Sequence, residues 1–275
     1  MEILLVPHVG RVSNLESAIV AACMLEAAGI QVRVDTDHEA FARFPQGVGD
    51  ASLIISLGGD GTFLRAADMA RPKNLPVLGI NLGHVGFLAE WEHDSLEEAI
   101  RRVIAGDYRI EDRTTLDIAI GDQHGWALNE ASVVNNDNTR GVLDAELAID
   151  DRPVSGFGCD GIIVSTPTGS TAYAFSAGGP VLWPELDALL VVPNNAHALF
   201  ARPLVIGPDS KVEIRVHTPA RVALDGYRSL DMPAGSTVTV TKGAQPVHWV
   251  RLDDCPFTSR LVRKFRLPTE GWRQV

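Results

Sequence analysis

Lysine is scarce in this chain: four residues in 275, at positions 73, 211, 242 and 264, so that 20 of the 24 basic residues are arginine (24 − 4). No G-x-x-x-x-G-K-[ST] stretch occurs, which excludes a P-loop. Cysteine is nearly as rare. Cys23, Cys159 and Cys255 lie far apart with no C-x-x-C pair, so neither a clustered zinc site nor a disulfide framework is indicated. Three reduced thiols in a reducing compartment is the simpler reading. No apolar run approaches the roughly 20 residues of a membrane span. The opening MEILLVPHVG reads as a strand, without the basic flank and small-residue cleavage site of a signal peptide. A cytoplasmic protein with no membrane partner is therefore expected. Positive charge is also lacking: 24 basic against 35 acidic residues give 24 − 35 = −11. That argues against nucleic acid as a partner, because phosphate backbones are bound by basic faces. An anionic ligand must instead be met by helix N-termini, backbone N–H groups and a few placed arginines.

Apolar residues make up 45% and charged residues 21%, an ordinary globular composition. The first hundred residues alternate strand and helix. Ile3–Val6 is a short apolar run, and Ser13-Asn14-Leu15-Glu16 reads as a capping box opening a helix that stops at Gly29. Ile30–Val34, Leu53–Leu57 and Val77–Asn81 read as strands, and Asp94–Ala105 as a helix closed by Gly106. This order predicts an α/β domain over residues 1–107 with a Rossmann-like, doubly wound parallel sheet. Beyond Tyr108 the period becomes two, in Leu116–Ile120, Leu143–Ile149, Val212–Val216 and Thr237–Val240. Residues 108–250 are accordingly expected to form an all-β, sandwich-like domain. The arginine-rich segment 251–275, with Phe257, Leu261, Phe265 and Leu267, is expected to return to the first domain.

The third strand runs into Gly58-Gly59-Asp60-Gly61-Thr62, followed by a helix with Phe63, Leu64, Ala66 and Ala67. Ligands of open α/β sheets bind at that carboxyl edge. Gly58, Gly59 and Thr62 suit a phosphate loop, since glycines let N–H groups turn toward an anion at a helix N-terminus. An aspartate there repels phosphate unless it binds metal or accepts a proton from an attacking hydroxyl. A bare Asp-Gly commonly does no more than satisfy turn geometry. The strand-to-helix setting makes Asp60 a candidate general base. Arg65 lies one helical turn beyond Gly61 and is expected to reach back to the loop.

Two further blocks stand out. Val77–Glu90 carries Gly79, Gly83 and Gly86, and is expected to place a second tight turn beside the first. Asp160–Tyr173 reads as a strand and a loop with five hydroxyl residues between positions 165 and 171, followed by Ser176-Ala177-Gly178-Gly179-Pro180. Hydroxyls beside an aromatic suit binding of ribose or phosphate and stacking of a base; a helix-capping turn would need only one or two of them.

Together the Gly-Gly-Asp-Gly-Thr loop, the second glycine cluster and Thr166-Pro167-Thr168-Gly169-Ser170-Thr171-Ala172-Tyr173 resemble the NAD kinase family. The closest likeness is to its actinobacterial type, through Phe157–Gly161, Trp183-Pro184 and His197–Leu204. The resemblance spans nearly the whole chain. Gly-Gly-Asp-Gly-Thr by itself is shared with diacylglycerol and sphingosine kinases. The resemblance implies phosphorylation of the 2′-hydroxyl of the adenosine ribose of NAD, with ATP or polyphosphate as donor and Mg²⁺ or another divalent cation as cofactor. It also implies Asp60 as proton acceptor, and NAD contacts at Gly61, Arg65, Asn129, Glu130, Arg140, Asp160, Thr171, Ala172, Tyr173, Ala174, Phe175 and Ser176. No metal ligand is assigned. A homodimer or homotetramer is implied as well. The chain departs from the family at Gly158, where many members carry Lys or Arg, and at Tyr227, where many carry Gln or Arg. Two other readings compete. A lipid kinase would need an apolar entrance or a membrane-facing basic surface. A non-catalytic NAD(H)-sensing module would have no reason to keep Asp60 acidic.

Overall fold

The computed structural model describes residues 1–8, 10, 12–81, 86–88, 96–136, 141–252 and 256–269. Two compact units divide the chain, Met1–Asp112 with Val247–Val275, and Arg113–Pro246.

The first unit opens with β1 (Glu2–Pro7), α1 (Val12–Ala27), β2 (Gln31–Val34), β3 (Leu53–Leu57), α2 (Asp60–Ala70), β4 (Val77–Ile80), α3 (Leu96–Ala105) and β5 (Arg109–Arg113). Helix α1 starts at Val12, earlier than a capping box at Ser13 would place it, and the Ser13 side chain lies outside the described part. Its end follows the sequence closely. Gly29 has φ +76°, and the Ile30 N–H donates to the Leu25 carbonyl at 3.0 Å, closing a Schellman turn. Asp94, where the sequence reading starts α3, also lies outside the described residues, while Gly106 ends that helix at φ +69°.

The second unit holds β6 (Leu116–Ile120), β7 (Gln123–Ala127), β8 (Glu130–Asn135), β9 (Leu143–Ile149), β10 (Arg152–Cys159), β11 (Gly161–Ser165), α4 (Tyr173–Ser176), β12 (Leu189–Asn194), β13 (Leu204–Ile206), β14 (Val212–Val216), β15 (Ala220–Leu224), β16 (Arg228–Met232) and β17 (Thr237–Lys242). They form two six-stranded sheets, ordered β10-β9-β14-β17-β6-β7 and β13-β12-β11-β8-β15-β16. Period-two strands build the core between them. Leu143, Ala145 and Leu147 point inward beside Ile118 and Ile214, and meet Val133, Ile162, Val164 and Val222 of the other sheet. Strand β11 is buried on both faces. Its outward Ile163 packs with Ala174, Leu182, Leu190 and Val192, so the segment after β11 folds back over the outside of its own sheet.

The chain then adds β18 (Val247–Arg251) and α5 (Phe257–Phe265) to the first unit. Its sheet is ordered β2-β1-β3-β4-β18-β5, and β1, β2, β3, β4 and β18 are paired in parallel. Helices α1 and α3 cover the face carrying Ile3, Leu5, Leu53, Ile55 and Leu57, while Phe63 of α2 packs on Trp249 of β18 at 5.4 Å. Phe257 and Phe265 of α5 flank Phe87, at 6.2 and 5.6 Å. Two boundaries differ from the sequence reading. The expected second domain, 108–250, takes in β5 and all of β18 but Arg251, yet both strands belong to the first sheet. Side-chain contacts help to join them, an ion pair of Arg251 with Glu111 at 3.1 Å and a hydrogen bond between His248 Nδ1 and Asp112 Oδ1 at 2.5 Å. Among the described residues no helix is long and apolar enough to cross a membrane.

Candidate active site

In the first unit β3 ends at Leu57 and α2 begins at Asp60, with Gly59 as its extended N-cap residue. The turn is tight because its first glycine is enclosed. A Cβ on Gly58 would stand 2.5 Å from Thr62 Oγ1 and 2.9 Å from the Cβ of His8. Gly59 and Gly61 differ: a Cβ at either would meet no heavy atom within 4 Å. Packing does not require glycine there, and the open backbone, ahead of helical N–H groups that lack intrahelical acceptors, suits approach by an anion.

Asp60 is oriented by the second glycine cluster. Its Oδ1 accepts the Leu88 N–H at 2.9 Å and its Oδ2 the Phe87 N–H at 3.2 Å. The approach needs Gly86, since a Cβ there would lie 2.2 Å from Asp60 Oδ1. Each oxygen accepts one N–H, and lone pairs remain on both for a proton or a cation. Of the rest of that cluster, Leu82–Val85, Ala89 and Glu90 lie outside the described residues. Arg65 does not reach back to the loop. Its guanidinium pairs with the carboxylate of Asp35, just after β2, and donates to the Asp35 carbonyl at 3.2 Å. An acidic residue one strand away outcompetes the loop for the charge.

In the second unit Leu128 and Asn129 connect β7 to β8, which Glu130 opens, and the backbone of all three is fastened on both sides. The Asp225 carboxylate accepts all three N–H groups, Leu128 at 3.0 Å, Asn129 at 2.6 Å and Glu130 at 3.3 Å. The carbonyls are met too: Leu128 O by Thr166 Oγ1 at 2.6 Å, Asn129 O by the Thr166 N–H at 2.9 Å and Ser165 Oγ at 3.0 Å, Glu130 O by the Asp225 N–H at 3.0 Å. Gly169 closes on the same segment, where a Cβ would sit 2.0 Å from Asn129 O.

With the backbone held, Asn129 and Glu130 are only 7% and 6% exposed. Asn129 Oδ1 and Glu130 Oε2 have no hydrogen-bond partner among the described residues. Two adjacent buried polar groups left without a partner fit a ligand that can both donate and accept, such as a sugar hydroxyl. Burial, and then the nearby Asp225 carboxylate, push the Glu130 carboxyl up to about 8, against the lowering effect of the Tyr173 N–H. Burial likewise raises Asp225, opposed by the Leu128 and Asn129 N–H groups, the Arg228 charge and the Glu130 N–H.

The hydroxyl-rich loop has a different use from the one its composition suggests. Ser165, Thr166 and Ser170 are fully buried. Ser165 and Thr166 fasten the segment at Asn129, while Ser170 Oγ donates to Pro167 O at 2.7 Å and accepts the Leu182 N–H at 2.8 Å. Thr171 Oγ1 turns back to Thr168 O at 3.4 Å. The hydroxyls of Ser165, Thr166 and Ser170 satisfy the backbone of a buried turn and are not displayed to a ligand, while Thr171 is half-buried. Ala172 is half-buried and Ala174 is in the core, whereas Tyr173, Phe175 and Ser176 are exposed, and the Tyr173 hydroxyl accepts from Asn194 Nδ2 at 3.2 Å. Asp160, exposed between β10 and β11, accepts from Asn195 Nδ2 at 2.7 Å. Arg140 lies outside the described residues. Of the two departures, Gly158 is half-buried with its carbonyl accepting the His197 N–H at 2.8 Å, and the Tyr227 ring lies 4.9 Å from the Arg228 guanidinium. Among the described residues no group of three or more His, Cys, Asp or Glu side chains is placed to hold a metal ion.

The sequence reading missed Asp225 as a participant. The Asp-Gly pair signals a turn, and Asp225 and Gly226 do adopt φ +51° and +76° between β15 and β16. Nothing local announces what the carboxylate binds.

Comparison with known proteins matches residues 14–108 to the model of the ATP-NAD kinase N-terminal domain and residues 128–252 to that of the C-terminal domain. An NAD kinase of Corynebacterium diphtheriae is 59% identical, covering 98% of this chain and 92% of its own. One of Nocardia farcinica is 52% identical over 99% and 93%. Among solved structures, an NAD kinase from Archaeoglobus fulgidus in complex with ATP superposes with TM-score 0.76 at 26% identity, over 96% of this chain and 98% of that one. A yeast NADH kinase complexed with NADH superposes with TM-score 0.88 at 22% identity, over 98% and 89%, which bears on fold alone.

Proposed function

This chain belongs to the NAD kinase family, and from that premise we propose that it transfers the terminal phosphoryl group of ATP to the 2′-hydroxyl of the adenosine ribose of NAD, giving NADP. The observation that carries the reading is the pair of buried, unpartnered polar atoms Asn129 Oδ1 and Glu130 Oε2, which suit a hydroxyl-bearing ligand. The second unit supplies the dinucleotide-binding residues, with Asp160, Tyr173, Phe175 and Ser176 adding exposed polar and aromatic groups. The first unit supplies the phosphoryl-transfer loop. Asp60 takes the proton of the attacking hydroxyl as the oxygen–phosphorus bond forms and the bond to the β-phosphate breaks, releasing ADP. The N–H groups at the start of α2 offset the phosphate charge.

A divalent ion, Mg²⁺ in this reading, adds charge compensation on the phosphates when it is bound with ATP. The donor set fits such an ion: Mg²⁺ is commonly held by one or two carboxylates plus substrate phosphates and water. Asp60, with lone pairs left on both oxygens, is the residue that would hold it. We place the protein in the cytoplasm as a homodimer or homotetramer, a reading supported by the free thiols of Cys23 and Cys159 for the compartment and by family resemblance for the assembly. The test is NADP formation from NAD, ATP and Mg²⁺, read with an NADP-specific dehydrogenase. NADP is the expected product. Bound NAD with no NADP, from ATP and then from polyphosphate, would reduce the protein to a dinucleotide-binding module.

A further inference from the structure

The segment Leu128–Glu130 cannot hold itself. Leu128 and Asn129 lie between β7 and β8, strands of different sheets, and Glu130 opens β8; the N–H groups of all three end on one side chain, the carboxylate of Asp225. A carboxylate is an acceptor with two oxygens and no hydrogen to donate, so it alone among side chains of this length can take three converging N–H groups and a guanidinium together. Asp225 Oδ1 accepts from Asn129 and Glu130, and Oδ2 from Leu128 and from Arg228 Nη2 at 2.9 Å. Arg228 is itself set by two rings, Trp126 at 4.6 Å and Tyr227 at 4.9 Å. The turn that presents Asp225 is left-handed at both central residues, which fixes where the carboxylate stands. Beyond this clamp are the two buried, unpartnered polar atoms, Asn129 Oδ1 and Glu130 Oε2.

We infer that Asp225 is a positioning residue for NAD: it holds the Leu128–Glu130 backbone so that the Asn129 and Glu130 side chains stand at the spacing the dinucleotide requires. The inference rests on the reading of that pair as NAD-binding. Asp225 acts through them, touches neither substrate and takes no part in phosphoryl transfer. Its removal therefore weakens NAD binding selectively, leaving the ATP loop in the other unit undisturbed.

The experiment is steady-state kinetics of the full-length protein with NAD and ATP varied separately, for wild type, Asp225→Asn, Asn129→Ala and the double variant, each checked for wild-type circular dichroism. In Asp225→Asn one oxygen becomes an amino group facing the Leu128 N–H and Arg228. KM for NAD is expected to rise about ten- to a hundredfold, the scale of a lost charged hydrogen bond, with KM for ATP and kcat at saturating NAD unchanged. In the Asn129→Ala background the same substitution should add much less, because the two act in one path. A folded Asp225→Asn protein with wild-type KM for NAD, an equal rise in KM for ATP, or full additivity with Asn129→Ala would each overturn the inference. If Asp225→Asn does not fold, Asp225→Glu, which keeps the charge but moves the carboxylate by one methylene from the three N–H groups, is read by the same criteria. Failure of the underlying reading looks different: Asn129→Ala would itself leave KM for NAD unchanged.

Discussion

At position 86 a methyl group would stand 2.2 Å from Asp60 Oδ1, closer than any real contact. Gly86→Ala must therefore push the carboxylate away from the Phe87 and Leu88 N–H groups that orient it. Because an ångström of misplacement costs a large factor in rate, kcat is expected to fall about ten- to a hundredfold, with KM for NAD little changed. Turnover at saturating substrates measures this; an unaltered kcat would show that the orientation seen here does not govern the reaction. Arg65 makes a contrasting case. Its distance along the helix suggested a reach back to the glycine loop, but Asp35 lies within reach and takes the charge. A spacing rule places a side chain on a face of a helix and says nothing of which neighbour, from another strand, competes for it.

The connection between β11 and α4 is an element fixed by its hydroxyls. Thr166 and Ser165 tie it to the Leu128–Asn129 carbonyls, and Gly169 allows the backbone to close on Asn129 O. Gly169→Ala forces backbone against backbone, where no rotamer change relieves the clash. The predicted cost is about 1–3 kcal/mol of stability, visible as a lower urea midpoint together with a raised KM for NAD, since the displaced partner is Asn129. A variant of wild-type stability would mean the turn can move aside freely. At this scale the sequence was readable where signals are local. The Gly58–Thr62 turn lies between an apolar run and a helix, and the period-two strands β6, β9, β14 and β17 show their inward faces directly. It was not readable where partners are distant. Asp225 meets residues 95 to 97 positions away, and the short strands β5 and β18 carry nothing in Arg109–Arg113 or Val247–Arg251 that names the sheet they join. Of the hydroxyls of 165–171, Ser165, Thr166 and Ser170 serve the backbone, because composition counts donors without saying which backbone carbonyls are already waiting for them.

Across the whole molecule, a chain of net charge −11 that handles anionic nucleotides also carries a buried carboxyl pair, and this has a consequence for stability. The Glu130 carboxyl in the folded protein, at about 8, lies above its free value of 4.5. Between those limits the folded state keeps a proton that the unfolded state has lost, so stability falls as pH rises through that window, and Asp225 shifts in the same direction. The loss attributable to Glu130 is on the order of a few kcal/mol. Glu130→Gln should match wild type near pH 4.5 and exceed it above pH 8, in denaturant midpoints taken across that range. Parallel pH profiles for the two proteins would contradict the assignment.

The most direct test of the account compares wild type with Asp60→Asn in two measurements on the same preparation, NAD affinity at equilibrium and NADP formation from NAD, ATP and Mg²⁺. The account predicts unchanged NAD affinity and a loss of turnover of about 10²- to 10⁴-fold, the usual contribution of a positioned general base. A folded Asp60→Asn protein that makes NADP at the wild-type rate would contradict it.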